Sequence, residues 1–155
     1  LEVGVNLYKK KLNQNKKSEV VLMFNNSITL YNKYTENGTE KWKRTIISGV
    51  YFDSIKGHNF NKSGNEKANK AQIIIPKRNM KMNDYLRPKE FEGAIDKSNK
   101  WTIQDDDTIV RGEISFEIVK STKELYQHYD NVFVVTSVDF KDFGNDMSHW
   151  EVNAK

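Results

Sequence analysis

From Thr108 to Ile118 the sequence TIVRGEISFEI alternates with a period of two. Val110, Ile114, Phe116 and Ile118 fall on one face, with Gly112 among them. Arg111, Glu113, Ser115 and Glu117 fall on the other, with Ile109. An α-helix repeats every 3.6 residues, so this pattern reads as one extended, half-buried antiparallel strand. Gly112 marks a bulge in a curled sheet.

Other segments follow the same rule. In SITLYNK, 27–33, Ile28 and Leu30 face one way and Thr29 and Tyr31 the other. In KWKRTII, 41–47, Trp42, Arg44 and Ile46 oppose Lys43, Thr45 and Ile47. The Asn37-Gly38 pair favours a left-handed turn between them, within a connection over 34–40 that is longer than a two-residue hairpin. Ser48-Gly49 reads as a bulge or bend before VYFDSI, 50–55. AQIIIP, 71–76, is a further strand closed by Pro76. VFVVTSV, 132–138, and a short run near 149–152 complete the set.

Helical content is small. Ser121 and Thr122 with Glu124 suggest an N-cap for a helix over 122–129. Residues 77–93 form an exposed connection with a turn of helix after Pro88, and 101–103 a short packed element before an acidic turn. KGHNFNKSGNEKANK, 56–70, is a long polar loop or a mobile hairpin tip. No βαβ rhythm of about 30 residues appears, which excludes a doubly wound sheet. The expected fold is therefore mainly β: a small antiparallel curled sheet or β-barrel with one or two short helices and a long polar loop. Closure into a barrel would remove the sheet edges.

A chain of 155 residues fits one domain with or without a tail. Residues 1–22 hold five Lys and two Glu, so the remaining 133 residues carry only +1 of the formal +4. The segment 1–22 is expected to be a basic N-terminal extension, either a frayed helix over 7–17 or disordered, and 23–155 a single β-rich domain. The near-neutral domain weakens a nucleic-acid reading, which needs a basic stripe on the fold. The absence of cysteine excludes thiol catalysis and disulfides and suits a reducing compartment. No run of roughly 18 apolar residues is present, so no membrane association is expected. A secretory signal is not expected at the N-terminus, which leaves the Asn37-Gly38-Thr39 sequon without meaning.

Candidate chemistry is sparse. Asp105, Asp106 and Asp107 read as a solvated turn, since they lack the spacing of a calcium loop. Asp139, Asp142 and Asp146 form a second weak group. His58, His128 and His149 have no ligand spacing. KSGNEK, 62–67, is not a phosphate-cradling loop, and Asp142-Phe143-Gly144 has no kinase context around it. No catalytic, cofactor or metal residue is expected. Trp42, Phe52, Trp101, Phe116, Phe133 and Trp150 are expected to fill or edge the core. The alternative is exposed stacking rings beside lysines, as on a nucleic-acid-binding barrel.

Six segments, in this order and spacing, carry a resemblance: ITLYNKY (28–34), KWKRTIISGVYF (41–52), AQIIIP (71–76), YLRPKEF (85–91), WTIQDDDTIVRGEI (101–114) and VVTSVDFKDFG with MSHWEV (134–152). The chain from Met23 onward resembles a family of small structural-module proteins of tailed phages and prophages of Gram-positive hosts. More distantly its layout is similar to head-closure, or head–tail joining, proteins: small β-barrels with a long loop between strands that assemble in rings below the portal. The resemblance implies a virion structural protein that works by ring assembly and not by catalysis. Another tail or assembly role on the same fold is the alternative. It implies self-association, with portal, adaptor or tail components as neighbours, in the virion and, during assembly, the host cytoplasm. The implied assembly loop holds Lys56, His58, Asn59, Phe60, Lys62, Lys67 and Lys70. Lysines of that loop facing DNA in a central channel are a further possibility. Arg111, Glu113 and Glu117 are candidate surface contacts. Residues 77–100 are long for a minimal barrel of this kind.

Overall fold

The computed structural model describes residues 24–55, 57–61, 64–67, 69–79 and 84–155, with the backbone alone at 58–61, 64–67 and 79. The expectations for residues 1–22, and those for Lys56 and Lys62, fall outside the described residues. Six strands close into an antiparallel barrel: β1 (Asn26–Glu36), β2 (Thr39–Ile55), β5 (Lys70–Pro76), β8 (His149–Ala154), β7 (Val132–Lys141) and β6 (Thr108–Arg111), in that spatial order. β3 (His58–Asn61) and β4 (Gly64–Lys67) form a separate two-stranded sheet between β2 and β5 in the chain. Among the described residues there are also two short α-helices, α1 (Pro88–Gly93) and α2 (Lys123–His128), and a single 3-10 turn at Lys77–Asn79.

The barrel turns its corners on two bulges. Asn26 pairs with Val50 and Ser27 with Ser48, which leaves Gly49 as the extra residue in β2 at φ 73°. The left-handed region strongly favours glycine there. Beyond this point β2 leaves β1 and pairs with β5. β7 makes the equivalent change of partner, from β6 to β8, around Thr136. Two strands thus each belong to both halves of the barrel wall.

One expectation about a turn is corrected, and the helix cap expected at Ser121–Thr122 lies at Thr122 but is bonded differently. The β1–β2 connection is a two-residue turn and not a loop over 34–40. Glu36 pairs with Thr39, and Asn37 and Gly38 lie at φ 51° and 75°. Two successive positive φ angles are what a type I′ hairpin requires, and they let the polar residues 34–36 and 39–40 continue the ladder. At α2, the side chain of Thr122 makes no capping hydrogen bond. Glu124 reaches back instead, and its carboxylate accepts the N–H groups of Lys120 (2.6 Å), Ser121 (2.8 Å) and Val119 (3.4 Å).

The barrel interior holds Ile28, Leu30, Ile47, Val50, Phe52, Ile73, Ile75, Ile109, Phe133, Val135, Trp150 and Val152. Each large aliphatic side chain fully buried here contributes about 1.5–3 kcal/mol of transfer free energy. A second, smaller cluster lies on the outer face of β1 and β6. Tyr31, Val110, Leu125 and Val132 form it, with Trp42, Ile114, Phe116, Ile118 and Tyr129 packed against it.

That second cluster corrects the reading of 108–118 as one strand with one buried face. The ladder ends at Arg111, where Gly112 takes φ 97°. Residues 113–118 continue as a strap whose alternate side chains Ile114, Phe116 and Ile118 are half-buried. The strap is tied to β1 by Thr29, whose hydroxyl donates to Gly112 O (2.7 Å) and accepts from Ile114 N (3.0 Å). Tyr31 Oη donates to Phe116 O at 2.7 Å. Ile109, grouped with the polar residues in the sequence, points into the barrel, and Val110 into the outer cluster. β6 is therefore buried on both faces.

Candidate functional site

The most built-up part of the molecule is one end of the barrel. β5 ends there at Pro76, and β6 starts there at Thr108, beside Tyr31 of β1 and Val134 of β7. The connection between β5 and β6 crosses this end as a plug. Its spine is a small ladder: Trp101 N donates to Asp84 O (2.9 Å) and Leu86 N to Trp101 O (2.9 Å). Trp101 and Ile103 drop from the plug into the barrel core. Above them, Tyr85, Trp101 and Trp150 pack with ring centroids 4.9–5.6 Å apart, and Phe140 packs on Trp150 at 4.9 Å. Tilted contacts of this kind are favoured by the ring quadrupoles.

A carboxylate pins the plug to β1. Asp107 Oδ2 accepts from Asn32 Nδ2 (2.8 Å) and Gln104 N (2.9 Å), and Oδ1 accepts from Lys33 N (3.0 Å). Asn32 in turn clasps the plug backbone, donating to Thr102 O (2.7 Å) and accepting from Thr102 N (3.2 Å). Asp106 lies at φ 69°, a conformation Asp tolerates, and Asp107 is turned inward. This overturns the reading of Asp105–Asp107 as a solvated turn. Asp105 and Asp106 are exposed, but Asp107 is only 1% exposed. Burial pushes its carboxyl up to about 7, against the lowering effect of the hydrogen bonds from Lys33, Asn32 and Gln104. Nothing in the run Asp-Asp-Asp marks the third residue as the buried one.

The plug leaves a cleft on each side. The first, about 470 Å³, lies against β7 and β8, with Tyr85, Phe140 and Trp150 as aromatic walls, Ile103 and Val138 below, and Gln104 and Asp105 among its polar groups. Mouths of β-barrels are common ligand positions. Burial raises the Tyr85 phenol, and a hydrogen bond from Trp150 partly offsets that rise. The second cleft, about 510 Å³, lies against β2 and is lined by Lys43, Arg44, Thr45, Asp84, Asn99 and Lys100, among others. The Thr45 hydroxyl is buried there with no hydrogen-bond partner among the described residues. Trp101 borders this second cleft while its ring packs on two walls of the first.

The residues singled out in the sequence lie elsewhere. His58, Asn59 and Phe60 fall on β3 and Lys67 on β4, where His58 pairs with Lys67 and Asn59 with Glu66. Lys70 is exposed at the start of β5, opposite Ile55. Of the two forms considered for 56–70, the described residues 58–61 and 64–67 follow the hairpin, as two paired strands. Arg111 is exposed, lies 5.2 Å from the Phe52 ring centroid and donates to Asn26 Oδ1 (3.2 Å). Glu113 accepts from Ser27 Oγ (2.9 Å) and Ser48 Oγ (3.0 Å), and Glu117 pairs with Arg44 Nε (2.6 Å). These two carboxylates hold the strap against β1 and β2 while remaining exposed. Phe52, Trp101, Phe133 and Trp150 are buried, and Trp42 and Phe116 pack against the outer cluster, as expected for core-filling rings. Tyr85 and Gln104 were not singled out, and Asp107 was read only as part of a solvated turn, because only the plug's path across the barrel brings the three together.

Among the described residues, no three His, Cys, Asp or Glu side chains converge as a metal site, and no helix is long and apolar enough to cross a membrane. No curated protein and no solved structure matches the chain. A family match covers residues 23–155, the span that runs from just before β1 through the last strand. The chain therefore belongs to the family of unknown function DUF6751.

Proposed function

We propose that the protein is a structural component of a tailed-phage virion, acting by ring assembly at the head–tail connector and not by catalysis. Support comes from the sequence resemblance together with one observation. The β3–β4 hairpin is a sheet of its own, inserted between two wall strands of a small closed barrel. A closed wall leaves few strand edges for unwanted pairing, whereas an isolated two-stranded hairpin is marginal on its own and gains from a partner. In this reading the hairpin, with Lys70 near its base, packs against a neighbouring ring. Repeated contacts around the ring offset the cost of ordering it. The partners are other copies and the adjoining portal, adaptor or tail proteins. The setting is the virion and, before that, the host cytoplasm.

A small nucleic-acid-binding barrel has weaker support. Trp42 packs against the outer cluster, and its neighbour Arg44 is tied to Glu117 and to Ile114 O. Neither group is set out for stacking on bases.

Electron microscopy of particles carrying a small label on this chain tests the proposal. A labelled ring at the capsid vertex is the expected result. Label along or below the tail would move the role within the virion. Absence from both mature particles and assembly intermediates would sink the structural reading altogether.

A further inference from the structure

The two clefts differ in what their polar groups already do. In the cleft against β2, Lys43 Nζ donates to Arg44 O at 3.1 Å, and Lys100 also has a partner. The Arg44 guanidinium is turned to the outer flank, bonded to Glu117 and to Ile114 O. In the cleft against β7 and β8 the polar groups are idle. Gln104 and Asp105 are consecutive residues in its lining, the first half-buried and the second exposed. Among the described residues neither side chain makes a hydrogen bond or an ion pair. Only the Gln104 backbone is used, in the turn that closes on Asp107. The Tyr85 hydroxyl accepts from the Trp150 indole N–H and keeps its own proton for a further acceptor. The cleft thus offers a carboxylate that only accepts, an amide that both donates and accepts, and a phenol that donates.

The remaining lining is apolar. Ile103 and Trp150 are buried, and Pro88 and Val138 are half-buried. Phe140 is the register partner of Trp150 in the barrel wall, yet its ring is 43% exposed. The charges around the cleft select among ligands. Lys77 Nζ stands 5.8 Å from the Phe140 ring centroid and would repel an incoming cation. Asp105 would repel an anion. Arg87 and Glu90, which both act on Tyr85, are paired with each other. Asp139, Lys141, His149 and Glu151 alternate with Val138, Phe140 and Trp150, so they lie on the other face of the sheet. A ligand without net charge fits this balance. A polyproline segment is neutral but presents carbonyl oxygens and no N–H, which leaves the Asp105 carboxylate nothing to accept. A saccharide uses every group. Its hydroxyls both donate and accept, and the C–H face of a pyranose ring packs on aromatic side chains.

We propose that the cleft between the plug and β7–β8 binds a neutral saccharide, with the apolar face of a pyranose unit against Tyr85 and Phe140 and its hydroxyls on Gln104, Asp105 and the Tyr85 O–H. The volume of about 470 Å³ lies within the range of small-ligand clefts. The inference is independent of the assembly role proposed above.

Titration of the full chain with neutral sugars, read from the assigned indole N–H signals in a heteronuclear NMR spectrum, tests the site. The probes are methyl glucoside, methyl galactoside, N-acetylglucosamine, maltose and chitobiose. At least one is expected to shift the Trp150 signal saturably at millimolar concentration. Trp42, in the outer cluster, is expected to stay in place. Gln104→Ala and Asp105→Ala remove side chains that hold nothing else together. Each is expected to raise the dissociation constant about tenfold, with the Trp42 signal unmoved as proof of an intact barrel. A dissociation constant unchanged in both variants would put the sugar elsewhere and overturn the proposal. A panel in which no sugar moves Trp150 would overturn it as well. A proline-rich peptide that moves Trp150 where the sugars do not would give the cleft to a polypeptide instead.

Discussion

Asp107 is held by three N–H donors in a site that excludes water, and the two influences on its proton oppose each other. The donors favour the carboxylate, and burial favours the acid; burial wins, and the group lies at about 7 in the folded protein against 3.8 for an ordinary aspartate. Between those values the folded state binds more protons than the unfolded chain. Stability is therefore greatest at the acid end of this window and is lost as pH rises through it, by an amount on the order of a few kcal/mol. Urea unfolding at pH 5 and pH 7.5 should show a lower midpoint at the higher pH from this group. Asp107→Asn should flatten the difference while lowering stability at both values, since its amide sets an N–H against the donor of Lys33. An unchanged pH slope in that variant would remove Asp107 as its cause. The sequence offered no means of finding this residue. Asp105, Asp106 and Asp107 are identical in type, and only a positive φ at Asp106 separates the buried one from its exposed neighbours.

The strap shows what periodicity reveals about an element and what it omits. Alternation in TIVRGEISFEI correctly marks an extended chain, but Gly112, read as a bulge within one strand, instead follows the end of the ladder at Arg111. The pattern does not say which surface the apolar side chains meet. Ile114, Phe116 and Ile118 face an outer cluster beneath α2, because the ladder that would carry them inward stops at Arg111. Thr29 replaces the missing ladder with one hydroxyl that both donates and accepts. Thr29→Val keeps the shape and removes both bonds, leaving Gly112 O and Ile114 N without that partner. The expected loss is about 2 kcal/mol, with faster amide exchange at Ile114 than at Ile28 or Leu30. Exchange rates that rise equally in β1 and the strap would show that the strap opens only with the barrel. The same limit applies to the β1–β2 turn. Asn-Gly was legible as a left-handed pair, but the polar residues around it concealed how far the ladder runs.

At the scale of the whole molecule, strand count, helix positions and mainly-β class were legible, because each short apolar run is bounded by Gly, Pro or Asn. Closure was not, since it depends on β1 meeting β6, a pairing across about 80 positions of sequence that no local pattern records. The last strand is what completes the wall. β8 pairs with both β5 and β7, and Lys155 exchanges two backbone hydrogen bonds with Val134 at 2.8 and 2.9 Å. Removing residues 149–155 should therefore abolish cooperative unfolding, as followed by circular dichroism, and leave chains that aggregate through the exposed edges of β5 and β7. A soluble truncated chain with a sharp transition would mean that the remaining five strands form a self-sufficient sheet.

The aromatic packing above the barrel also has an optical consequence. Trp101 and Trp150 lie 5.6 Å apart with Tyr85 against both, whereas Trp42 sits with the outer cluster under the strap. Rings this close interact through their transition dipoles, so near-ultraviolet dichroism should carry a signal that is lost when the plug is unseated. Trp42 packs with a different cluster, so the dichroic signal of the barrel mouth can be followed apart from the packing of its flank.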